Sequence, residues 1–380
     1  MTRTSLRIGV SVLEQATKQA VKQAVRQAAR SSATGTRVVE QAAKQAVKQV
    51  VKQAKSSSAA VGAIKPPALP GSPTNPRRGL KDCVTGMAFG TGGARRYYLY
   101  KPPGLALTER LPLMVMLHGC GQDADGFALS TRMNRVAARE RFLVLYPEQD
   151  RLANPQRCWN WYDTRSRQAY GEASILLAAI DQVCLLYPVD RERVGLAGMS
   201  AGASMGALLA TRYPERFKAV VMHSGVPPGA ADSAASALGA MRGRRGPTAP
   251  AGDRAWPPLL VIQGSRDHVV APANGAASAH LWAAAAGAKT VATRQVQRGL
   301  RYPMTVTEYK AGGRAAATLC EVQGLGHAWS GGDGSERFSD DRGPDASRMV
   351  WAFMLRQFKA GLKVPGVGLS MPGAGLRKLG

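Results

Sequence analysis

The chain has no CxxC pair, no run of about eighteen uninterrupted apolar residues, and few acids. Only 25 Asp and Glu stand against 51 Lys and Arg in its 380 residues. Each shortage excludes something. Without cysteines at metal-ligand spacing no structural zinc is expected, and no motif asks for another metal or a cofactor. Without a long apolar run no transmembrane segment is expected. The apolar stretch from Ile8 to Leu13 is broken by Gly9 and Ser11 and leads into a Lys/Gln-rich tract. No secretory leader is expected there, which favours the cytoplasm. The shortage of acids leaves a formal charge of +26. That charge attracts polyanions and acidic surfaces but says nothing about the fold. The five cysteines (Cys83, Cys120, Cys158, Cys184 and Cys320) are an odd number, so a monomer keeps at least one free thiol.

What is present divides into unlike regions. Residues 1–65 hold twelve Lys/Arg and two Asp/Glu, so +10 of the excess sits there and +16 in the rest. Leu13-Glu-Gln-Ala-Thr-Lys-Gln-Ala-Val-Lys recurs at Val39 with an offset of 26 residues. Spacing by four puts Lys18, Lys22, Arg26 and Arg30 on one stripe and Leu13, Val21 and Val25 on another, which predicts two short amphipathic helices. Ser56 to Pro76 reads as a flexible linker. Residues 1–78 are therefore expected to be a basic, partly helical or disordered tail, 79–360 a catalytic domain, and 361–380 a disordered basic tail. A basic helix of this kind adsorbs to anionic surfaces, and residues 1–55 are the expected contact with such a surface. No aromatic residue interleaves its charges, so specific nucleic-acid recognition is not expected.

From Cys83 onward, short apolar runs alternate with longer stretches of helical spacing. The runs are Arg96–Tyr100, Leu113–Leu117, Phe142–Tyr146, Val194–Ala197, Ala219–Met222, Leu259–Ile262 and Thr318–Val322; Ala173–Tyr187 and Ala203–Arg212 are helical. This alternation predicts an α/β fold with a mostly parallel sheet covered by helices on both faces. Gly229 to Pro258 has no periodicity and is expected to be a surface loop.

Gly198-Met-Ser-Ala-Gly202 carries the chemistry. It follows an apolar run and precedes a helical stretch, where a serine is raised on a tight strand-to-helix turn. Ser200 is the expected nucleophile. Its partners should follow in the order acid, then histidine. Asp267 ends the loop after Leu259–Ile262, and His327 lies between glycines after Thr318–Val322. His118 precedes the serine, and His223, His268 and His280 sit less suitably, so His327 is the expected base and Asp267 its orienting acid. The oxyanion needs two donors. The Ala201 N–H lies directly behind the nucleophile, and the Cys120 N–H lies in His118-Gly-Cys-Gly121 after Leu113–Leu117.

Leu117-His-Gly-Cys-Gly-Gln122, Cys158-Trp-Asn-Trp-Tyr162, Gly198-Met-Ser-Ala-Gly202, Gly264-Ser-Arg-Asp267 and Gly326-His-Ala-Trp329 occur in this order. Together they resemble the polyhydroxybutyrate depolymerase family of esterases, relatives of the feruloyl and acetylxylan esterases, over about residues 82–358. The resemblance implies an α/β-hydrolase fold, the triad Ser200, Asp267 and His327, and an oxyanion amide at Cys120. It also implies a crevice lined by Trp329, with Trp159 and Trp161 in the same region, and an extracellular location for relatives that degrade solid polymer. About twenty low-complexity residues follow Phe358, so a C-terminal polymer-binding domain is not expected. This leaves soluble oligoesters, intracellular polymer and aryl esters as substrates. The leading expectation is a serine hydrolase of short-chain hydroxyalkanoate esters. The alternatives are a feruloyl or acetylxylan esterase, or a granule- or polyanion-associated protein that uses the hydrolase as a scaffold. Cys120 and Cys158 form either a disulfide bracing the oxyanion loop, in an exported protein, or two free thiols in a cytosolic one.

Overall fold

Leu111-Pro-Leu-Met-Val-Met-Leu117 is buried at every position, and its side chains divide between two cores. Leu113, Val115 and Leu117 face one, and Met114 and Met116 face the other. A strand without a polar face is what a sheet covered on both sides requires. The computed structural model describes residues 78–106, 108–248 and 255–361, all within one unit that begins at Asn75. The expected basic tail lies outside the described residues except for Arg78, as does the C-terminal tail beyond Gly361.

In chain order the strands of the main sheet are β1 Cys83–Gly90, β2 Gly93–Tyr100, β3 Leu111–Leu117, β4 Leu143–Glu148 and β5 Val189–Met199. They continue as β6 Ala219–His223, β7 Leu259–Gly264, β8 Lys289–Val296, β9 Met304–Ala311 and β10 Arg314–Val322. They lie in the order β1-β2-β4-β3-β5-β6-β7-β10-β9-β8. The six strands from β4 to β10 are parallel. The outer pairs on both sides are antiparallel. A short parallel pair, β11 Trp329–Ser330 and β12 Ser339–Asp340, follows β10.

The helices are α1 Ala124–Thr131, α2 Met133–Glu140, α3 Gln168–Leu186, α4 Ala201–Arg212, α5 Ala234–Met241, α6 Ala273–Ala285 and α7 Ala346–Gly361. Helices α3, α4 and α6 supply Ile175, Leu176, Leu209 and Trp282 to the first core. Helices α1, α2 and α7 supply Phe127, Val136, Val350 and Phe353 to the second. Helix α3 is long and apolar enough to cross a membrane by length and composition. Its buried face packs on the sheet, and Glu172 in its first turns is held in a buried ion pair with Arg95. It is a core helix.

The seven apolar runs fall on β2 to β7 and β10, and both helical stretches on α3 and α4. The sequence reading missed β1, β8 and β9, which lie toward the sheet edges. β8 is exposed along nearly its whole length, so it carries no burial pattern to read. The expected loop from Gly229 to Pro258 is corrected in part. Ser233 accepts from the Ser236 N–H, and the Ser236 hydroxyl accepts from the Ser233 N–H, a capping box that starts α5. The helix is half alanine and too short to show periodicity.

Candidate active site

The carboxyl ends of β5, β7 and β10 carry the three candidate catalytic residues. Ser200 lies between β5 and α4 as the helix N-cap with φ 55° and ψ −120°, a positive-φ conformation that non-glycine residues seldom hold. Such strain persists only where the surroundings over-determine it. Here the Ser200 N–H donates to the His223 carbonyl at 2.8 Å, tying the turn to β6. The two glycines of the motif are required by space. A Cβ on Gly198 would lie 2.4 Å from the Gly202 backbone, and one on Gly202 would lie 2.2 Å from the Leu117 carbonyl oxygen. The serine is thus forced up at the sheet edge, 9% exposed.

Asp267 follows β7, and His327 follows its parallel neighbour β10. His327 Nδ1 is 2.8 Å from Asp267 Oδ2. The other carboxylate oxygen accepts the Val269 and Val270 N–H groups at 3.0 and 2.8 Å. Burial pushes the Asp267 carboxyl up. The His327 hydrogen bond and charge, with the two amides, outweigh it and hold the group below the ordinary carboxylate range. An ionised Asp267 accepts at Nδ1–H, which leaves His327 Nε2 with its lone pair. Gln263, on β7, donates from Nε2 to the same Asp267 Oδ2 and to the Val270 carbonyl, each at 3.2 Å. Its own Oε1 is buried and unpartnered among the described residues.

The loop after β3 approaches the serine closely. A Cβ on Gly119 would sit 3.4 Å from Ser200 Cβ. Within this loop Gly119 N–H donates to Gln122 Oε1, Gly121 N–H to the Gln156 carbonyl, and Gln122 N–H to the Gly119 carbonyl. Among the hydrogen bonds of the described residues, Cys120 N–H takes no acceptor. Ala201 opens α4, and an N–H of the first helical turn has no intrahelical acceptor. Cys120 is joined to Cys158 by a disulfide, Cα to Cα 4.2 Å. Of the two alternatives the sequence left open, the structure has the bridge.

The irregular segment carrying Cys158 is anchored by a buried network. Glu172 accepts from Asn160 N–H at 2.8 Å, from Asn160 Nδ2 at 2.7 Å, from Gln149 Nε2 at 2.8 Å and from Arg95 at 3.2 Å. Trp159 is fully buried, and its Nε1–H donates to the His118 carbonyl at 3.1 Å. Its ring packs against His118, at the start of the loop that carries Cys120. Trp161 is almost buried, edge-on to Tyr162.

Trp329 departs from its expected place in a crevice wall. It is 0% exposed, lies edge-on to Phe127, stacks on the His223 ring, and donates from Nε1 to Ser347 Oγ. With no accessible atom, it supports the His327 loop from the core. The ring is held inward by its stack on His223 and by the Nε1–H bond to Ser347, which leave it no face toward a crevice.

Two histidines that the sequence set aside act as buried connectors. His118 Nδ1 lies 2.9 Å from the Gly119 carbonyl, and its Nε2 accepts the Gln149 N–H at 3.1 Å. His223 Nε2 accepts the Ser330 N–H at 3.1 Å, linking β6 to the His327 loop. Burial drives both below the ordinary histidine value, His223 to about 3 with the His327 charge adding to the effect. Each is a neutral ring with one nitrogen held as acceptor. Gln149, Glu172, Asn160 and Gln263 were also missed. A single buried polar residue in an apolar stretch, such as Gln263 in Leu-Leu-Val-Ile-Gln, is the signal that could have found one of them.

A strained strand-to-helix serine, a carboxylate-bound imidazole and a mostly parallel sheet define an α/β-hydrolase. The family described as "Esterase PHB depolymerase" matches residues 95–294. The chain belongs to that family. The matched span contains Ser200 and Asp267, whereas His327 lies beyond it. Poly(3-hydroxyalkanoate) depolymerase C of Paucimonas lemoignei is 32% identical over 199 residues, 49% of this chain and 47% of that protein. Feruloyl esterase B of Neurospora crassa is 33% identical over 144 residues, 37% of this chain and 48% of that protein. The chain spans about half the length of the curated relatives it matches. Acetyl xylan esterase from Aspergillus awamori superposes with a TM-score of 0.55 at 21% identity, over 64% of this chain and 93% of that one, a likeness of fold.

Proposed function

We propose that the chain is a serine ester hydrolase that cleaves short-chain hydroxyalkanoate esters through an acyl-enzyme. The observation that carries this reading is the 2.8 Å bond between Asp267 and His327, because it leaves Nε2 as the base on the sheet edge where Ser200 is raised. In the proposed reaction Ser200 Oγ bonds to the ester carbonyl carbon while its proton passes to His327 Nε2. The oxyanion takes the Cys120 and Ala201 N–H groups. The carbon–alkoxide bond then breaks, and the same proton leaves with the alcohol. Water repeats the sequence on the acyl-Ser200 ester, releases the acid and restores the hydroxyl.

The substrate class rests on the family and on relatives named for poly(3-hydroxyalkanoate) and poly(3-hydroxybutyrate). The basic repeat is proposed to hold the enzyme on an anionic surface or granule, since residues 1–65 hold twelve cations against two acids. Turnover of hydroxybutyrate oligomers, nitrophenyl esters and methyl ferulate by wild type and Ser200→Ala tests the chemistry. The variant is expected to lose at least roughly 10³-fold. Equal turnover by the two proteins would sink the mechanism. Methyl ferulate turned over far faster than the oligomers would move the substrate to the aryl esters. Removal of residues 1–75 should abolish sedimentation with granules and leave soluble-ester turnover unchanged.

A further inference from the structure

Between α7 and the face of β8, β9 and β10 that turns toward the second core lies a cavity of about 530 Å³. No residue assigned to the active site lines it. Its deepest lining residues, Leu260, Val306 and Cys320, are buried and apolar. Its lining also holds five arginines against two carboxylates, Glu308 and Asp345. Arg294 is bound to Glu308 at 2.6 Å, and Arg348 pairs with Asp345 at 3.4 Å. Among the described residues no carboxylate pairs with Arg298 or Arg356, and both are exposed. A second cavity of about 200 Å³ shares Arg301, Asp345 and Arg348 and adds three more arginines. The positive lining therefore continues past the end of the larger cavity.

We propose that this groove is a second binding site, separate from Ser200, for an amphiphilic monoanion: an aliphatic carboxylate. The sign of the charge follows from the arginines, whose planar forks match a carboxylate. The aliphatic body follows from the buried apolar lining, which a fully hydrated polyanion would leave uncovered at a cost of about 25 cal/mol per Å². Charge also excludes the occupants nearest at hand. The terminal segments of this chain are basic, with twelve cations and two acids in residues 1–65, and a second copy carries the same +26. The inference rests on the groove alone and survives any outcome at Ser200.

The test is calorimetric titration of the full chain with octanoate, octanol and acetate at fixed salt. Two variants probe the lining: the charge reversal R298E/R356E, and Ala352→Trp, which fills the groove from an exposed position on α7. Octanoate is expected to bind at least roughly tenfold tighter than octanol, which lacks the charge, or acetate, which lacks the chain. Both variants are expected to weaken octanoate by a similar factor and leave soluble-ester turnover unchanged. Octanoate affinity untouched by both variants would place binding elsewhere, the active site included, and overturn the proposal. Octanol binding as well as octanoate would overturn it too. So would tight binding of inorganic polyphosphate or phosphatidylglycerol vesicles without binding of octanoate, which would make the groove a polyanion contact.

Discussion

The loop that carries Cys120 and the loop that carries His327 face the same sheet edge, and each rests on a buried imidazole beside a tryptophan. Under the first, His118 lies 5.4 Å from Trp159, and under the second, His223 lies 5.0 Å from Trp329. In each pair the histidine accepts a backbone N–H from a neighbouring segment, Gln149 in one and Ser330 in the other. The two loops differ in what completes the hold. The first loop is joined covalently by Cys120–Cys158 to a segment that the ionic network at Glu172 holds through Asn160. Among the described residues the histidine loop carries no disulfide, and it is held by hydrogen bonds, aromatic packing and the Asp267–His327 pair. A rigid oxyanion donor must stay where charge develops, whereas a general base must accept and release a proton without its scaffold moving. The difference predicts that redox chemistry acts on one side and acidity on both.

The largest expected effect breaks the histidine side at its acid. Asp267→Asn keeps the shape but favours the wrong tautomer of His327, and kcat is expected to fall about 10⁴-fold with folding retained. A loss under tenfold would remove Asp267 from the triad. Acid comes next. His223 stands at about 3 in the fold against an ordinary 6.5. Below 6.5 the unfolded chain takes a proton that the folded chain refuses. Stability is therefore full above about pH 6.5 and declines as pH falls toward 3, by on the order of 5 kcal/mol from this residue. His118 shifts in the same direction. Asp267, held low, adds a loss with the same sign as pH falls through its folded value. Urea unfolding between pH 8 and 4 should show this slope, and His223→Asn should flatten it. A flat wild-type profile would contradict the buried neutral ring.

Reduction sharpens the comparison from the other side. Opening the bridge, which spans 38 residues, should destabilise by about 4 kcal/mol in the chain-entropy account. It should also lower kcat by about tenfold through a loosened Cys120 N–H, with both recovered on reoxidation. Undiminished kcat in the reduced protein would show that the loop's own hydrogen bonds hold it without the bridge. The smallest effect concerns Gln263. Gln263→Leu removes one donor from Asp267 Oδ2, and kcat is expected to fall about fivefold with KM little changed and the acid limb of its pH profile moved upward. An unmoved acid limb would make Gln263 a packing residue.

As candidates, Ser200, Asp267 and His327 were legible because each is punctuated locally: glycines at 198 and 202, an apolar strand ending before 267, Gly324 and Gly326 before 327. The same holds for β3 to β7, whose apolar runs are their own signature. Trp329 was misplaced because a motif gives the order of residues and not which way a ring turns. His118 and His223 were set aside as bases for want of the right position in the chain. Nothing local could say that each would instead link a loop to a neighbouring segment. The exposed strand β8 shows the same limit, since a strand without a buried face leaves no period to detect.

What the sequence determined by itself is the succession of the strands buried on both faces, with α3 and α4, and the identity of the residues at the strand ends, because backbone strain, tight turns and two-sided burial each impose composition within a few neighbouring residues. Only the tertiary structure decided that Cys120 meets Cys158, that Glu172 gathers Arg95, Gln149 and Asn160, and that Arg298 and Arg356 share a groove with buried carbon. These depend on distances between residues far apart in the chain, set by sheet order and by packing on its two faces, and no short-range pattern encodes them.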